Sequence, residues 1–333
     1  MHLRTMSQAK AHIRLQAIVL AVGIVLMGLK FWAWRVTHSN AILSDALESI
    51  VNVVAGVVAL YSLVLAAKPR DREHPYGHGK VEFISAGIEG TLVAIAGVLI
   101  IYRAIQAWIV GPVVHHVEQG LLLSAIAAVL NLLMGVVLKR RGKRAHSVTM
   151  QASGTHLLSD VWSTAAMLVG LLLIQFTGKV WLDSLFALGF GLFIGIQGTL
   201  VVRRSLAGIM DETDMHIAED LVRILDENRR PAWVDLHNFR VITFGSTLHV
   251  DCHVTLPYYY QLEQAHDEIS SIDELVNDRS GREVELFIHM DPCVPTSCPL
   301  CLMAECPVRK AAFVRRVPWT LESALANKKH DLV

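Results

Sequence analysis

The residues with the clearest chemistry are ionisable side chains that stand inside long hydrophobic stretches. His156 and Asp160 are one helical turn apart in one stretch, and Asp45, Glu48 and Asn52 share a helical face of another. An ionisable group at bilayer depth is costly, so it marks a transport or ligand site by default. An imidazole, carboxylates and an amide oxygen form a donor set that suits a divalent first-row metal.

Both sets are predicted to lie near the middle of the bilayer. From the helical rise, Glu48 and Asn52 lie roughly 10–17 Å below the outer end of their helix. His156 and Asp160 lie roughly 14–20 Å above the inner end of theirs, in a hydrocarbon core about 30 Å thick. These ligands must lose protons before they bind a metal, so competition between metal and protons is the simplest basis for a metal/proton exchanger. The alternative is a set of hydrogen bonds that joins helices in a bundle.

Other polar residues in the hydrophobic stretches are weaker candidates. The hydroxyl groups near the two sets are explained more simply as helix–helix hydrogen-bonding groups: Ser44, Ser49, Ser163 and Thr164. Three isolated residues have no second ligand at helical spacing, and we do not predict them in the site: Glu89, Asn131 and Asp183.

A second candidate site lies in the segment that follows the Asp45–Asn52 stretch. Asp71, His74 and His78 have the residue types and spacing of a small metal site. Gly77 and Gly79 are predicted to let this loop fold back tightly. The alternative is a solvated basic loop in which the histidines are incidental.

The elements that must position these residues are membrane helices. The chain has 333 residues, of which 53% are hydrophobic and 18% charged, and its mean hydropathy is +0.43. Hydrophobic stretches long enough to cross a bilayer are predicted at 13–34, 41–67, 83–107, 117–138, 147–175 and 180–203.

The distribution of Lys and Arg predicts the orientation. Basic residues concentrate before the first stretch, in the second and fourth loops and after the sixth stretch, whereas the other loops are poor in them. By the positive-inside rule, both termini are cytoplasmic. We expect the first stretch to be retained, because no small-residue cleavage site follows it. All five cysteines fall in the predicted cytoplasmic part, where structural disulfides are not expected.

The residues after the sixth stretch predict one small soluble domain. Helices are expected at 211–229 and 260–277, and strands at 234–244, 246–256 and 283–290. Gly245-Ser246 is a hairpin signal. This α-β-β-α-β order is typical of an α+β domain with helices on one side of a sheet.

The second strand separates an apolar face from a polar one. Leu248, Val250, Cys252 and Val254 share the face predicted to be the core. Residues that could meet on the other face, and that favour a metal site, are His237, His253, His289 and Asp291. His266 stands in an apolar helical stripe and is either a further ligand or a packed histidine. His249 is expected to be exposed.

The tail of the chain carries four cysteines with C-x4-C-x2-C-x4-C spacing, at Cys293, Cys298, Cys301 and Cys306. A four-thiolate zinc site and a redox sensor are both compatible with this spacing. A Pro-rich tail with reduced thiols explains it equally well.

Three motifs together resemble the cation diffusion facilitator family: residues 39–52, residues 71–82 and the pair His156-x-x-x-Asp160. The similarity extends from about 13 to 292. It implies a homodimeric transporter with six transmembrane helices and a ferredoxin-like, metallochaperone-like cytoplasmic domain, which exports Zn²⁺ or related ions from the cytoplasm across the cell membrane against protons.

The resemblance also assigns residues to sites. It implies a transport site at Glu48, Asn52, His156 and Asp160, and a loop site at Asp71, His74 and His78. It implies a cytoplasmic two-metal site at His237, His253, His266, His289 and Asp291. Lys80 and Asp211 resemble a charge pair at the membrane–domain junction, where they would act on hinge geometry.

The transport site departs from the pattern of the family. The family usually has Asp or His at position 48 and Asp at position 52, whereas this chain has Glu48 and Asn52. An amide cannot ionise, so the site loses one negative charge, for which Asp45 is the candidate replacement. His156 resembles the zinc, cobalt and iron branches of the family more than the manganese branch.

The main hypothesis is therefore a secondary transporter, not an enzyme, that exports Zn²⁺, Fe²⁺, Co²⁺ or Cd²⁺ in exchange for protons. The alternative is a transport-deficient metal sensor or assembly partner in the membrane. We predict an N-terminal arm at 1–12, a transport domain at 13–205, a regulatory and dimerisation domain at 206–292 and a tail at 293–333. No nucleic-acid partner is expected.

Overall fold

The computed structural model describes the backbone of residues 2–37, 40–110, 118–177 and 181–331. Side chains are described for 9–36, 46–47, 49–109, 126–165, 181 and 184–331. The chain divides into two compact units, Met1–Ile209 and Met210–Val333. Each unit is described by itself below.

The first unit contains six long helices within its described residues. They are α1 (His2–Thr37), α2 (Asn40–Ala66), α3 (Val81–Val110), α4 (Glu118–Arg144), α5 (Val148–Thr177) and α6 (Trp181–Ile209). Each predicted hydrophobic stretch overlaps one of these helices. Within the described residues, four segments are long and apolar enough to span a membrane: Ala9–Val36, Ser49–Ala66, Val81–Ile109 and Ser184–Ile209. For α4 and α5, spanning stays a prediction.

Helices α3 and α6 approach each other at backbone distance. A Cβ atom added to Gly198 would lie 2.4 Å from the backbone N of Ala94, and one added to Gly97 would lie 2.5 Å from the backbone N of Gly195. Small residues allow such contact where lipid supplies no hydrophobic force between helices. Dispersion between the two backbones therefore stabilises this helix pair.

Polar bonds connect α2, α3 and α5 close to the loop between α2 and α3. The Ser62 hydroxyl donates to the backbone O of Val81 at 3.2 Å, and it lies 3.2 Å from the hydroxyl of Thr149. Glu82, which is buried, accepts from the Ser147 hydroxyl at 2.5 Å and from the Thr149 backbone N–H at 3.2 Å. A carboxylate at the N-terminus of α5 satisfies donors that the helix leaves unpaired. These bonds hold α2, which carries Asn52, close to α5, which carries His156.

The second unit has the predicted α-β-β-α-β order, which is confirmed. It begins with α7 (Met215–Glu227), β1 (Asp235–Phe244) and β2 (Thr247–Leu256), and it continues with α8 (Leu262–Arg279) and β3 (Val284–Pro292). Within residues 210–331, the strands form one sheet of order β1-β2-β3, with β1 antiparallel and β3 parallel to β2. The predicted hairpin is present, and Gly245 has a φ of 61°, which a glycine adopts without strain.

The core of this unit lies between the helices and the predicted apolar face of β2. Leu248, Val250, Cys252 and Val254 are all buried in it, together with Trp233. Because burial of apolar surface drives folding, this core specifies the register that turns the alternate residues of β2 to the other face.

The segment after β3 packs onto the same unit. It forms a short 3-10 helix (Pro295–Leu300) and later α9 (Leu321–Leu325). Trp319 is buried, and the guanidinium carbon of Arg229 lies 4.2 Å from its ring centroid. Arg229 also donates to the backbone O of Val317 at 2.9 Å. This packing was not predicted, since isolated apolar residues in a Pro-rich tail carry no periodicity.

Substitution of Gly198 by Ala is expected to destabilise the membrane unit by about 1–3 kcal/mol, because the new methyl group would overlap the α3 backbone. Thermal unfolding of the purified protein in detergent measures the effect. Gly195→Ala is the matched control on the same helix, because a Cβ atom there meets nothing within 4 Å. Equal unfolding temperatures for the two variants would contradict the close α3–α6 approach.

Candidate metal sites

Asn52 on α2 contacts both His156 and Asp160 on α5. Its Nδ2 donates to Asp160 Oδ2 at 2.7 Å, and its Oδ1 lies 2.9 Å from His156 Nε2. The structure therefore brings three of the five predicted transport-site residues together. The side chains of the other two, Asp45 and Glu48, lie outside the described residues. Metal binding by the cluster stays a prediction.

The amide of Asn52 directs its nitrogen to Asp160 and its oxygen to His156. An amide oxygen only accepts, so the contact with His156 is a hydrogen bond when His156 carries its proton on Nε2. A metal ion would replace both hydrogen bonds and would take an imidazole nitrogen, a carboxylate oxygen and the amide oxygen as ligands.

A cavity of about 60 Å³ adjoins this cluster. Asn52 and His156 line it, and its other polar lining residues are Gln16, Lys30, Ser49, Glu89, Asn131 and Ser153. Lys30 donates from Nζ to the Ser49 hydroxyl at 3.0 Å. Glu89 and Asn131 were not predicted in the site because neither has a ligand at helical spacing. Lys30 and Glu89 still carried a usable signal, since each is a charged residue inside a hydrophobic stretch.

The loop between α2 and α3 brings Asp71, His74 and His78 together. One ligand atom from each lies within 4.8 Å of the others. Asp71 Oδ1 is 3.0 Å from His74 Nδ1, and Asp71 Oδ2 is 3.4 Å from His78 Nε2. The side-chain and backbone hydrogen bonds from His74 lower the pKa of Asp71 to about 2. Asp71 is therefore ionised across the physiological pH range.

The tight turn of this loop needs only one of the two predicted glycines. Gly77 has a φ of 92°, and its backbone N–H donates to the backbone O of His74 at 2.9 Å. Gly79 is not among the described residues with positive φ. The turn places His74 and His78 with ring centroids 4.3 Å apart.

Three histidines form a row across the sheet of the second unit. His237 on β1 pairs with His253 on β2, which pairs with His289 on β3. Asp291 Oδ2 lies 3.2 Å from His237 Nε2 and 3.3 Å from His253 Nδ1. His237, His253 and Asp291 each offer a ligand atom within 4.8 Å of the others. His289 is exposed, and its Nε2 lies 3.6 Å from Asp291 Oδ1.

A second carboxylate contacts the other side of His237. Asp235 Oδ2 lies 3.2 Å from His237 Nδ1, and Asp235 Oδ1 forms a short hydrogen bond with His330 Nδ1. Burial lowers the pKa of His237, although Asp235 and Asp291 oppose this effect. Burial alone would raise the pKa of Asp235, but the hydrogen bonds and charge of His330 and the charge of His237 lower it. This arrangement favours the neutral imidazole and the ionised carboxylate that a metal site requires.

His266 and His249 lie outside the group formed by His237, His253 and Asp291. His266 is exposed on α8, and within the described residues it joins no group of ligand atoms, so its role as a ligand stays a prediction. His249 was expected to be exposed, and that expectation is wrong, because the side chain is buried. Its ring packs edge-on against Phe244, with centroids 5.3 Å apart, and its Nδ1 lies 3.1 Å from Glu285 Oε2.

The four tail cysteines are free thiols in this structure. Among the described residues, no group of three potential metal ligands within 4.8 Å includes a cysteine. Cys301 is buried, which raises the pKa of its thiol, and Cys298 Sγ accepts from the Lys310 backbone N–H at 3.4 Å. The metal and redox roles of Cys293, Cys298, Cys301 and Cys306 stay predictions.

The two residues of the predicted hinge pair belong to different units. Lys80 precedes α3 in the first unit, and Asp211 follows α6 in the second. Asp211 has a φ of 58°, the left-handed conformation that Asp tolerates better than most residues. The pairing of Lys80 with Asp211 stays a prediction.

Comparison with known proteins identifies the family of both parts of the chain. Residues 16–210 match the cation efflux transmembrane domain, and residues 214–293 match the cytoplasmic domain of cation efflux proteins. An uncharacterized transporter of Synechocystis sp. is 34% identical over 277 residues, which cover 82% of this chain and 89% of the relative.

Two further relatives are named cation-efflux pumps. One from Shewanella oneidensis is 28% identical over 273 residues, covering 82% of this chain and 91% of that pump. One from Pectobacterium carotovorum is 29% identical over 277 residues, covering 82% of this chain and 90% of that pump. Both parts of the chain and its relatives lead to one conclusion: the protein belongs to the cation efflux, or cation diffusion facilitator, family of membrane transporters.

Proposed function

We propose that this protein exports a divalent transition-metal cation from the cytoplasm in exchange for protons, with Zn²⁺ as the favoured substrate and Fe²⁺, Co²⁺ and Cd²⁺ as alternatives. The observation that carries the proposal is the contact of Asn52 with His156 and Asp160 between α2 and α5. A site with one nitrogen and two oxygen ligands suits borderline first-row ions better than Mg²⁺ or Ca²⁺, which prefer oxygen alone.

The exchange follows from the chemistry of these three side chains. His156 and Asp160 each bind a proton or a metal, but not both at the same atom. Metal binding requires His156 to free a ring nitrogen and Asp160 to be ionised, and protonation of either group weakens the hold on the metal. A proton gradient across the membrane can therefore drive metal release on one side.

The same proposal includes the architecture. We place all six helices across the cell membrane with both termini in the cytoplasm, in keeping with the clusters of Lys and Arg at one end of the helices. The family matched by residues 214–293 is named for dimerisation, which supports a homodimer. In this arrangement the ferredoxin-like unit would hold its own metal at His237, His253 and Asp291 and would couple cytoplasmic metal level to transport.

The position of the loop site in the chain supports a role in metal capture. Asp71, His74 and His78 lie between α2 and α3, directly after the helix that carries Asn52. Both His74 and Asp71 are partly or largely exposed, whereas His78 is buried. We assign to this loop the capture of a metal ion before it reaches the membrane site.

Combined substitution of His156 and Asp160 by Ala is expected to lower metal-driven proton flux by about 100-fold or more, because two ligands are lost. The flux is measured in vesicles that contain the purified protein, with Zn²⁺ added and internal pH followed. Ser159→Ala is the matched control on the same helix, since within the described residues its hydroxyl bonds only to the α5 backbone at Thr155. Unchanged flux in the double variant would refute the proposed transport site.

A second candidate function rests on Asn52. An amide at this position leaves the described cluster with one carboxylate, Asp160, and both ends of the amide are already bonded within the cluster. Such a cluster could hold the helices together without transporting an ion. The protein would then be a membrane-bound metal sensor or an assembly partner.

Asn52→Asp separates the two functions. For an exporter, the wild-type protein already shows Zn²⁺-driven proton flux in vesicles, and the added carboxylate tightens Zn²⁺ binding. For a sensor, the wild-type protein binds Zn²⁺ through its second unit without flux, and Asn52→Asp creates the flux. Zn²⁺ binding by equilibrium dialysis, measured beside the flux assay, supplies the second readout that the distinction requires.

A further inference from the structure

Glu89 on α3 is a buried carboxyl group in the cavity that Asn52 and His156 also line. Its Oε1 accepts a hydrogen bond from the Ser153 hydroxyl at 2.8 Å. Among the described residues, no cationic side chain lies within ion-pair distance of Glu89. A carboxylate at this depth needs a bound cation or a proton to offset its desolvation.

Gln16 on α1 presents an unused acceptor in the same cavity. Its Nε2 donates to the Ser153 hydroxyl oxygen at 3.3 Å. The Ser153 hydroxyl donates its single proton to Glu89, so its oxygen accepts the hydrogen bond from Gln16 Nε2. Gln16 Oε1 is therefore directed away from Ser153. That oxygen is buried and has no hydrogen-bond partner. A buried acceptor without a donor is rare in proteins and indicates a ligand or an ordered water.

The charges of the side chains around the cavity determine whether a divalent cation can bind there. Lys30 brings an ammonium group to the same cavity, which opposes the binding of a divalent cation. Of the described residues of the cluster, Asp160 can offset one positive charge, and Asn52 offsets none. Once it releases its proton, Glu89 supplies a further negative charge to the space that a divalent ion would enter.

We propose that Glu89 and Gln16 form a second intramembrane cation position, which holds a partly hydrated divalent metal next to the Asn52, His156 and Asp160 cluster. The position uses two oxygen ligands from the protein, the Glu89 carboxylate and Gln16 Oε1, and leaves the other ligands to water. Ser153 orients both side chains. The inference rests on the proposed transport of a divalent metal. It adds a second binding position for the ion along the transport route.

Glu89→Gln tests this position, because it removes the charge and keeps an acceptor for Ser153. The expected result is at least a tenfold rise in the KM for Zn²⁺ in the vesicle flux assay, with an unchanged unfolding temperature. Glu89→Asp, which keeps the charge, is expected to recover most of the affinity. Gln16→Met, which removes the orphan acceptor at similar volume, is expected to weaken binding severalfold.

The outcomes separate this inference from the proposed function. If the wild-type protein shows no Zn²⁺ flux, the proposed function fails. If the wild-type protein transports and Glu89→Gln keeps KM within twofold, the second position is refuted. A loss of flux that Glu89→Asp does not recover, with a lowered unfolding temperature in both variants, would assign Glu89 to helix packing and would also refute it.

A separate observation concerns the C-terminal strap, residues 326–330, which contacts residues of β1 and β3 next to the histidine row of the second unit. The backbone N–H of Asn238 donates to the backbone O of Ala326 at 2.8 Å. Lys329 Nζ donates to the backbone O of Pro292 at 2.8 Å and lies 3.9 Å from Asp291 Oδ2. That carboxylate oxygen is the one that contacts His237 and His253.

We infer that the ammonium group of Lys329 takes the place of a metal ion beside Asp291 and that a divalent metal displaces it together with the strap. The two cations share one carboxylate oxygen, so each lowers the affinity of the other. The matched cytoplasmic-domain family ends at residue 293, so the strap adds this competition to the site from outside that domain. The inference rests on the proposed metal site at His237, His253 and Asp291.

Lys329→Gln is expected to raise the Zn²⁺ affinity of this site about tenfold, because one opposing charge is removed near the metal. Lys328→Gln is the matched control, since Lys328 is exposed and its removal changes the net charge equally. Affinity is measured by competition with a chelator in full-length protein that lacks the intramembrane and loop sites. Hydrogen exchange of the Asn238 amide should accelerate when Zn²⁺ binds.

The comparison with His253→Ala gives the decisive outcomes. If His253→Ala leaves Zn²⁺ binding unchanged, the proposed cytoplasmic site is absent. If His253→Ala abolishes binding but Lys329→Gln and Lys328→Gln bind Zn²⁺ equally, the strap does not compete with the metal. Unchanged exchange of the Asn238 amide on metal binding would likewise refute displacement of the strap.

Discussion

The amide of Asn52 is the contact on which the intramembrane site depends. It bonds to Asp160 with one end and to His156 with the other, so a single side chain on α2 positions both candidate metal ligands of α5. In a low-dielectric environment each of these bonds is strengthened, and each unpaired partner would be costly. Separation of α2 from α5 at this point would therefore leave polar groups unpaired, which opposes it.

The helices around this contact are held by two different kinds of interaction. Hydrogen bonds of Ser62, Glu82 and Thr149 connect α2, α3 and α5 near the loop, whereas backbone contact at Gly97 and Gly198 joins α3 to α6. The polar bonds are specific in direction, and the glycine contact depends on shape alone. Helix α3 takes part in both, and it also carries Glu89 into the cavity. Helix α3 is therefore the element that the α6 contact and the cavity have in common.

The second unit builds its candidate metal site from strand register. The apolar residues of β2 are drawn into the core, and the pairing with β1 and β3 then sets His237, His253 and His289 in one row. Around this row lie two carboxylates, Asp235 and Asp291, which contact opposite nitrogens of His237. An imidazole whose second ring nitrogen contacts a carboxylate has a fixed orientation, and it is a better metal ligand than an imidazole that rotates freely. The strap adds a positive charge beside this candidate site, because Lys329 Nζ lies 3.9 Å from Asp291 Oδ2.

The sequence by itself determined the features that depend on composition and period. Hydrophobic length predicted the six helices of the first unit, and alternation predicted the strands and core face of β2. Helical spacing placed His156 and Asp160 on one face of α5, where both contact Asn52. The order of elements in the second unit followed from the same local signals. These features depend on neighbours a few residues apart, which a linear pattern records.

Only the tertiary structure decided which distant residues share a space. Glu89, Gln16 and Lys30 stand alone in their helices, so no spacing connected them to His156, and they meet only because the helices pack around one cavity. His249 is buried by Phe244 and His330 reaches Asp235 from 95 residues away, neither of which a local pattern contains. Contacts between elements depend on how the helices and strands are packed together, and a single sequence specifies that packing through many weak interactions at once rather than through any one motif.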